Sequence, residues 1–303
     1  MNDADSKKLK NAISGILVVD KPTGMTSHDV VAVIRKGTGL RRIGHTGTLD
    51  PRASGVLVVL VGPAVRLSEY LTCEKKGYEA VIRFGAVSDT YDGDGKITDA
   101  GGKYPKDEET ILNAMDSFIG EIEQVPPVYS AIKLHGRKAY DLARAGETVE
   151  IAPRKVTVHS FDLIEYLPPE MTADIICSAG TYIRSIANDL GKKLGCGAYL
   201  YGLRRTLSGN FTLRNAVPLD ELKKVFEDGT WFQYLIPAAE ALDYEEICPT
   251  PEQEQDILHG RRIAAEPGDH EPIAKVVSEQ GELIALLTFD PETHEWKPKK
   301  VFY

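Results

Sequence analysis

Residues Gly44 to Asp50 read Gly-His-Thr-Gly-Thr-Leu-Asp, followed by Pro51 and then by Ala53-Ser54-Gly55. Val56 to Val61 comes next, Val-Leu-Val-Val-Leu-Val, and reads as a buried strand. The fold must therefore contain a sheet that buries this strand, with one carboxylate, Asp50, on a glycine-rich loop against it. A solvated surface has little use for an acid so placed. Loops held by a rigid scaffold are where reactive groups tend to sit.

The chain has 303 residues, enough for a large core and more than one domain. The longest apolar run, Gly55 to Ala64, is far too short to span a bilayer. The first ten residues are polar and lysine-bearing with no apolar stretch, so a mobile tail over 1–14 is expected and no secretory signal. Cys73, Cys177, Cys196 and Cys248 form no Cys-x-x-Cys pair, and the histidines show no i,i+4 pairing. That spacing predicts reduced thiols in a cytosolic protein and no metal site.

Net charge is −9, which taken globally disfavours a nucleic-acid partner. The distribution points the other way. Lys192 to Arg214 carries five basic residues and no acid, and Arg35 to Arg52 carries five against the single Asp50. Asp220 to Asp256 inverts this, with eleven acids and two lysines. Charges beyond about 10 Å are screened at physiological salt, so an acidic protein can still carry a basic groove.

Periodicity predicts strands at 15–20, 55–61, 78–84, 156–166 and 172–177, with extended chain over 199–213. Helices are expected at 28–36 with Ser27 as N-cap, and at 63–72, 108–118, 138–145 and 182–194. Asp89 to Gly95 is a turn that lacks the ligand spacing of a calcium loop. After Leu242-Asp243 the character changes. A short helix at 249–258, a hairpin at 273–288 and a strand at 299–303 set a boundary near 247.

Five motifs occur in order: Asp20-Lys21-Pro22 with Gly24-Met25-Thr26-Ser27; Gly44 to Pro51; Lys76-Gly77-Tyr78; Gly180 to Ser185; and Leu203-Arg204-Arg205. Together they resemble the TruB family of pseudouridine synthases, over about residues 15–213 and more weakly to the C-terminus. The resemblance implies an α+β catalytic domain, 15–247, built on a curved and mainly antiparallel sheet flanked by helices. It implies a segment near 124–152 that clamps an RNA stem-loop, and a small β-rich, PUA-like module at 248–303. The implied substrate is uridine 55 in the T-arm stem-loop of tRNA, handled in the cytoplasm by a monomer with no obligatory protein partner.

Converting uridine to pseudouridine moves a glycosidic bond from nitrogen to carbon, with nothing added or lost overall. No cofactor is demanded, and none of the usual phosphate-cradling motifs is present. A nucleophile is demanded, and Asp50 takes that role. An arginine must keep it ionised and aimed, and Arg184 is the candidate. The base must leave its stack, at a cost of a few kcal/mol, which an aromatic face partly offsets. Tyr78 suits this, its hydroxyl being available for proton transfer. Tyr182 would hydrogen-bond in the same pocket, His45 would fill the space the base vacates or contact the adjacent loop, and Leu203 would wall the site. Arg204 and Arg205 would reach phosphates, and Lys21, also placed in the substrate-binding set, would brace the Asp50 loop. A non-catalytic RNA-binding protein of the same fold is disfavoured by the joint presence of Asp50, Tyr78 and Arg184. A small-molecule aspartate hydrolase is disfavoured by the lack of a second well-placed acid.

Overall fold

The strand predicted from the apolar run, β3 (Ser54–Val61), pairs antiparallel from Gly55 to Val61 with β1 (Gly15–Lys21). Both strands are covered on both faces, which is why neither alternates in polarity. Leu17, Val19, Leu57 and Val59 enter one core with Val30, Val31 and Ile34 of α1 (Ser27–Thr38). Ile16, Val18, Val56, Val58 and Leu60 face the other way into a second core. The computed structural model describes residues 13–72, 75–130, 133, 134, 137, 138, 142 and 151–302.

Around this pair grows a ten-stranded sheet. Its further strands are β2 (Ile43–Thr46), β4 (Lys76–Phe84), β5 (Gly120–Gln124), β6 (Arg154–Leu167) and β7 (Glu170–Cys177), then β8 (Ala198–Ser208), β9 (Phe211–Thr212) and β10 (Val217–Pro218). The order is β10-β1-β3-β8-β4-β7-β6-β5, with β2 added to β3 and β9 to β8. Only β1–β10 and β3–β8 are parallel, so the sheet is mainly antiparallel. Bulges interrupt β6 and β8, and bulges bend a sheet.

The helices differ in detail from expectation. The N-cap of α1 is Thr26, not Ser27: Thr26 and Asp29 close a reciprocal capping box, and the Ser27 hydroxyl is used elsewhere. The expected helix 63–72 begins as a 3-10 turn, Gly62–Leu67, before a short α-helix, Ser68–Thr72. Lys138, expected to open a helix, pairs instead in a small hairpin of Lys133–Leu134 with Arg137–Lys138. Most of the expected clamp, and residues 1–12 of the expected tail, lie outside the described residues. Ile13, assigned to that tail, packs against the first core. Leu219–Glu227 forms a helix the periodicity reading passed over.

A five-stranded sheet follows, beginning with Glu245–Ile247, two residues before the expected boundary. Its own core holds Ile257, Val276, Leu287 and Trp296. Leu286 points the other way and joins Ile16, Val18, Val56 and Val58 in the second core of the main sheet. Lys300 donates to the Arg66 carbonyl at 2.9 Å and ion-pairs with Glu69. The two sheets thus share one apolar seam.

Candidate active site

The loop carrying Asp50 is tied down by side chains from three elements. At its start, Arg205 Nη2 donates to the Gly47 carbonyl at 3.1 Å. In its middle, the Ser27 hydroxyl donates to the Leu49 carbonyl at 3.2 Å and accepts from the Leu49 N–H at 2.9 Å. At its end, Lys21 Nζ donates to the Pro51 carbonyl at 3.3 Å, and also to those of Met25 at 2.6 Å and Pro22 at 2.9 Å. A loop held at three points presents its next side chain in a fixed place. Gly55 makes the approach possible: its φ is +99°, and a Cβ there would stand 2.2 Å from the Arg205 carbonyl oxygen.

These contacts correct two sequence expectations. Arg205 cannot reach a phosphate. It is 1% exposed, donates from Nε to the Val56 carbonyl at 2.7 Å, and stands opposite Tyr78 across the strand pair. Lys21 is fully buried with three backbone carbonyls around its ammonium, that of Pro51 among them, so it braces the Asp50 loop as expected and does not touch substrate. Burial pushes that ammonium down to about 8. Arg204 remains partly open, although Nη2 pairs with Asp20 at 2.7 Å.

Asp50 lines an open cleft with Arg52, Ala53, Asp92, Arg184, Leu203 and neighbouring residues of β8. Arg184 sits in the first turn of the helix Ile183–Lys193, which β7 and the Gly180 turn feed. Its Nε meets Asp50 Oδ2 at 3.0 Å, and its Nη1 meets Asp92 Oδ2 at 3.4 Å. Nη2 donates to the Tyr129 carbonyl at 3.1 Å. The guanidinium is 7% exposed, whereas the Asp50 side chain is 43% exposed and faces the opening. Burial raises the Asp50 pKa above the ordinary carboxylate range; Arg184 opposes this, and Asp92 and Asp94 add to it.

Asp92 is the residue that sequence reasoning missed. Its stretch, Asp89 to Gly95, reads only as a turn. The available signal was electrostatic: an arginine buried against one half-open acid leaves charge to balance, and this acidic turn supplies it.

The remaining candidates fall around this centre. Leu203 walls the cleft beside Asp50. Tyr78 lies behind it in β4, opposite Arg205 of β8 and 9% exposed. Burial raises its pKa, Arg205 partly opposing, so the phenol stays protonated at neutral pH. Tyr182 caps the Arg184 helix and exchanges backbone hydrogen bonds with the Gln124 side chain at 2.8 and 3.1 Å. Its ring lies 4.7 Å from the Arg154 guanidinium and 6.0 Å from that of Arg184. His45, in β2, stands edge-on to His28 at 5.4 Å and does not line the Asp50 cleft. Burial lowers its pKa, with His28 and Arg205 adding to the effect, so it is held neutral. Among the described residues no group of three or more His, Cys, Asp or Glu side chains is placed to hold a metal ion.

Comparison with known proteins decides the family. Residues 35–183 match the N-terminal domain of TruB family pseudouridylate synthases, and 184–243 match the C-terminal domain of tRNA pseudouridylate synthase B. The chain belongs to the TruB family of pseudouridine synthases. A Dehalococcoides mccartyi (strain BAV1) protein named tRNA pseudouridine synthase B is 39% identical across 96% of this chain and 97% of its own length. A Clostridium kluyveri protein of the same name is 42% identical across 84% and 86%. Among solved structures, one described as an H/ACA ribonucleoprotein bound to a substrate RNA containing 2′-deoxyuridine superposes with a TM-score of 0.74. That match has 26% identity and covers 98% of this chain and 87% of the other. A Cbf5-Nop10-Gar1 complex gives 0.73 at the same identity, covering 98% and 87%. Family membership makes the chain an isomerase, and the sheet order above is the TruB-type catalytic fold.

Proposed function

We propose that this protein isomerises uridine 55 in the T-loop of tRNA to pseudouridine, with Asp50 as the nucleophile on a flipped-out uridine. The observation that carries the reading is the Asp50 carboxylate, open to a cleft and clamped by a buried arginine at 3.0 Å. The relatives' shared name, tRNA pseudouridine synthase B, supplies the substrate class. The protein acts as a single chain, in the cytoplasm, on the T-arm stem-loop.

In the reaction the N1–C1′ bond breaks, the base turns, and a C5–C1′ bond forms. The proton displaced from C5 is balanced by the one N1 gains. Asp50 holds the substrate covalently between the two bonds. Arg184 favours the charged carboxylate and so limits the rise in pKa that burial causes. Leu203 presses the base from one side. Tyr78, kept as a neutral phenol against Arg205, backs the pocket and can donate or relay a proton but not act as a standing base. Tyr182 stands at the start of the Arg184 helix with its ring 6.0 Å from that guanidinium, and His45 stands outside the cleft against His28.

The test is direct. Purified protein is incubated with an unmodified tRNA transcript and no cofactor, and pseudouridine is mapped. Product at position 55, absent with Asp50→Asn, supports the reading. Product elsewhere, or undiminished product with the variant, refutes it.

A further inference from the structure

Tyr201 breaks the pattern of the strand it belongs to. Along β8 and β4, Tyr199 pairs with Arg83 and Leu200 with Ile82, but Val81 pairs with Gly202. Tyr201 is the extra residue of a β-bulge. A bulge re-aims the side chain it frees. Tyr199, in regular register, is buried at 3% exposure, whereas Tyr201 is 44% exposed.

Tyr201 lines the Asp50 cleft together with Leu203 and Arg184. The ring is held from behind. The Arg83 guanidinium lies over it at 5.4 Å and is itself paired with Glu170 at 3.7 Å. Tyr199 meets it edge-on at 6.4 Å. An arginine within about 6 Å of a ring centroid fixes the ring's plane by cation–π attraction. The rest of the ring stays open to solvent, so it adds little to the core.

We propose that Tyr201, braced by Arg83, is a stacking platform for the nucleobase next to the one that enters the cleft. This rests on the RNA-modifying reading above. The cleft opens over Asp50, and the reacting nucleoside occupies it. A neighbouring base must therefore lie on its lip. The arginines of that lip are already committed, Arg184 to Asp92 in the cleft wall and Arg52 to Asp94 at its edge. A phosphate is a poor ligand beside those acids. A neutral base offered an aromatic face is a good one, and stacking accepts any base.

The experiment uses a T-arm stem-loop RNA carrying 2-aminopurine on one side or the other of the target uridine, with the full-length protein. Tyr201→Ala should raise KM about 5- to 150-fold, the range that 1–3 kcal/mol of stacking represents, and leave kcat unchanged. Tyr201→Phe, which keeps the ring, should restore the wild-type KM. The 2-aminopurine at one of the two positions should be quenched on binding the wild type and the phenylalanine variant, and not on binding the alanine variant. Thermal unfolding of Tyr201→Ala should match the wild type, since the ring is exposed. An unchanged KM in Tyr201→Ala, a fall in kcat alone, or no quenching at either position would overturn the platform while leaving the functional reading in place. A wild-type protein that fails to convert the RNA would remove both.

Discussion

Asp50 sits between two opposing influences, its own burial and the Arg184 guanidinium. Burial outweighs Arg184 at this carboxyl, so its pKa lies above the ordinary 3.8. A raised folded-state pKa means the folded protein disfavours the charged form more than the unfolded chain does. The associated stability is present below pH 3.8 and is lost as pH rises through the raised value. Asp50→Asn should therefore unfold at a higher temperature than wild type at pH 7, and this advantage should vanish in acid. The same variant should lose activity, a stability–activity trade-off of a familiar kind. Thermal melts from pH 3 to pH 8 check this; a variant less stable than wild type at pH 7 contradicts it. Asp50 was legible in the sequence because its loop is a dense local motif followed by an unmistakable strand. Asp92 was not, because its role depends on where Arg184's second edge points, and no spacing encodes that.

At the scale of elements, the loop from Gly47 to Pro51 is positioned by Lys21, Ser27 and Arg205, each spending its polar groups on loop backbone. Removing a buried donor leaves its acceptors unpaired, at about 1–3 kcal/mol for each such group. Lys21→Met should therefore lower kcat and thermal stability with RNA affinity unchanged; a variant that loses affinity alone would mean the lysine meets RNA. Arg204 and Arg205 are adjacent in sequence and opposite in fate, since neighbouring residues of a strand point to opposite faces. One is partly exposed beside Asp20, the other buried against Tyr78. The basic stretch Lys192 to Arg214 thus reads as a uniform groove although half of its arginine pair is interior. Arg204→Ala should fold and flatten the logarithmic salt dependence of RNA binding by about 0.7–0.9 if it contacts one phosphate. Arg205→Ala should lose stability instead, and equal flattening in both variants would contradict the buried assignment. Strand existence was read well from alternation and apolar runs. Helix starts were not, because Thr26 and Ser27 are both good caps and only the demand of Leu49 for the Ser27 hydroxyl decides between them.

Over the whole molecule, the sequence placed a boundary near 247, and the structure shows a seam rather than a free linker. Leu286 of the C-terminal sheet is fully buried among the outward residues of β1 and β3. Leu286→Ala should cost about 2–5 kcal/mol and lower the melting temperature of the entire protein in a single transition. Two separate transitions, with only the minor one shifted, would mean the sheets unfold independently. The chain's net charge of −9 gave no guide to its substrate, because the local arrangement around one cleft decides that. The central claim is that Asp50 captures the substrate covalently, and single-turnover kinetics on a T-arm stem-loop test it most directly. The rate constant should rise with pH to a plateau, with a midpoint above 3.8. Asp50→Asn should bind the RNA as tightly as wild type and lower the rate constant by roughly a million-fold, as loss of a nucleophile does elsewhere. A variant that turns over within about tenfold of wild type, where a single barrier of 1.4 kcal/mol would account for the whole difference, would contradict the account.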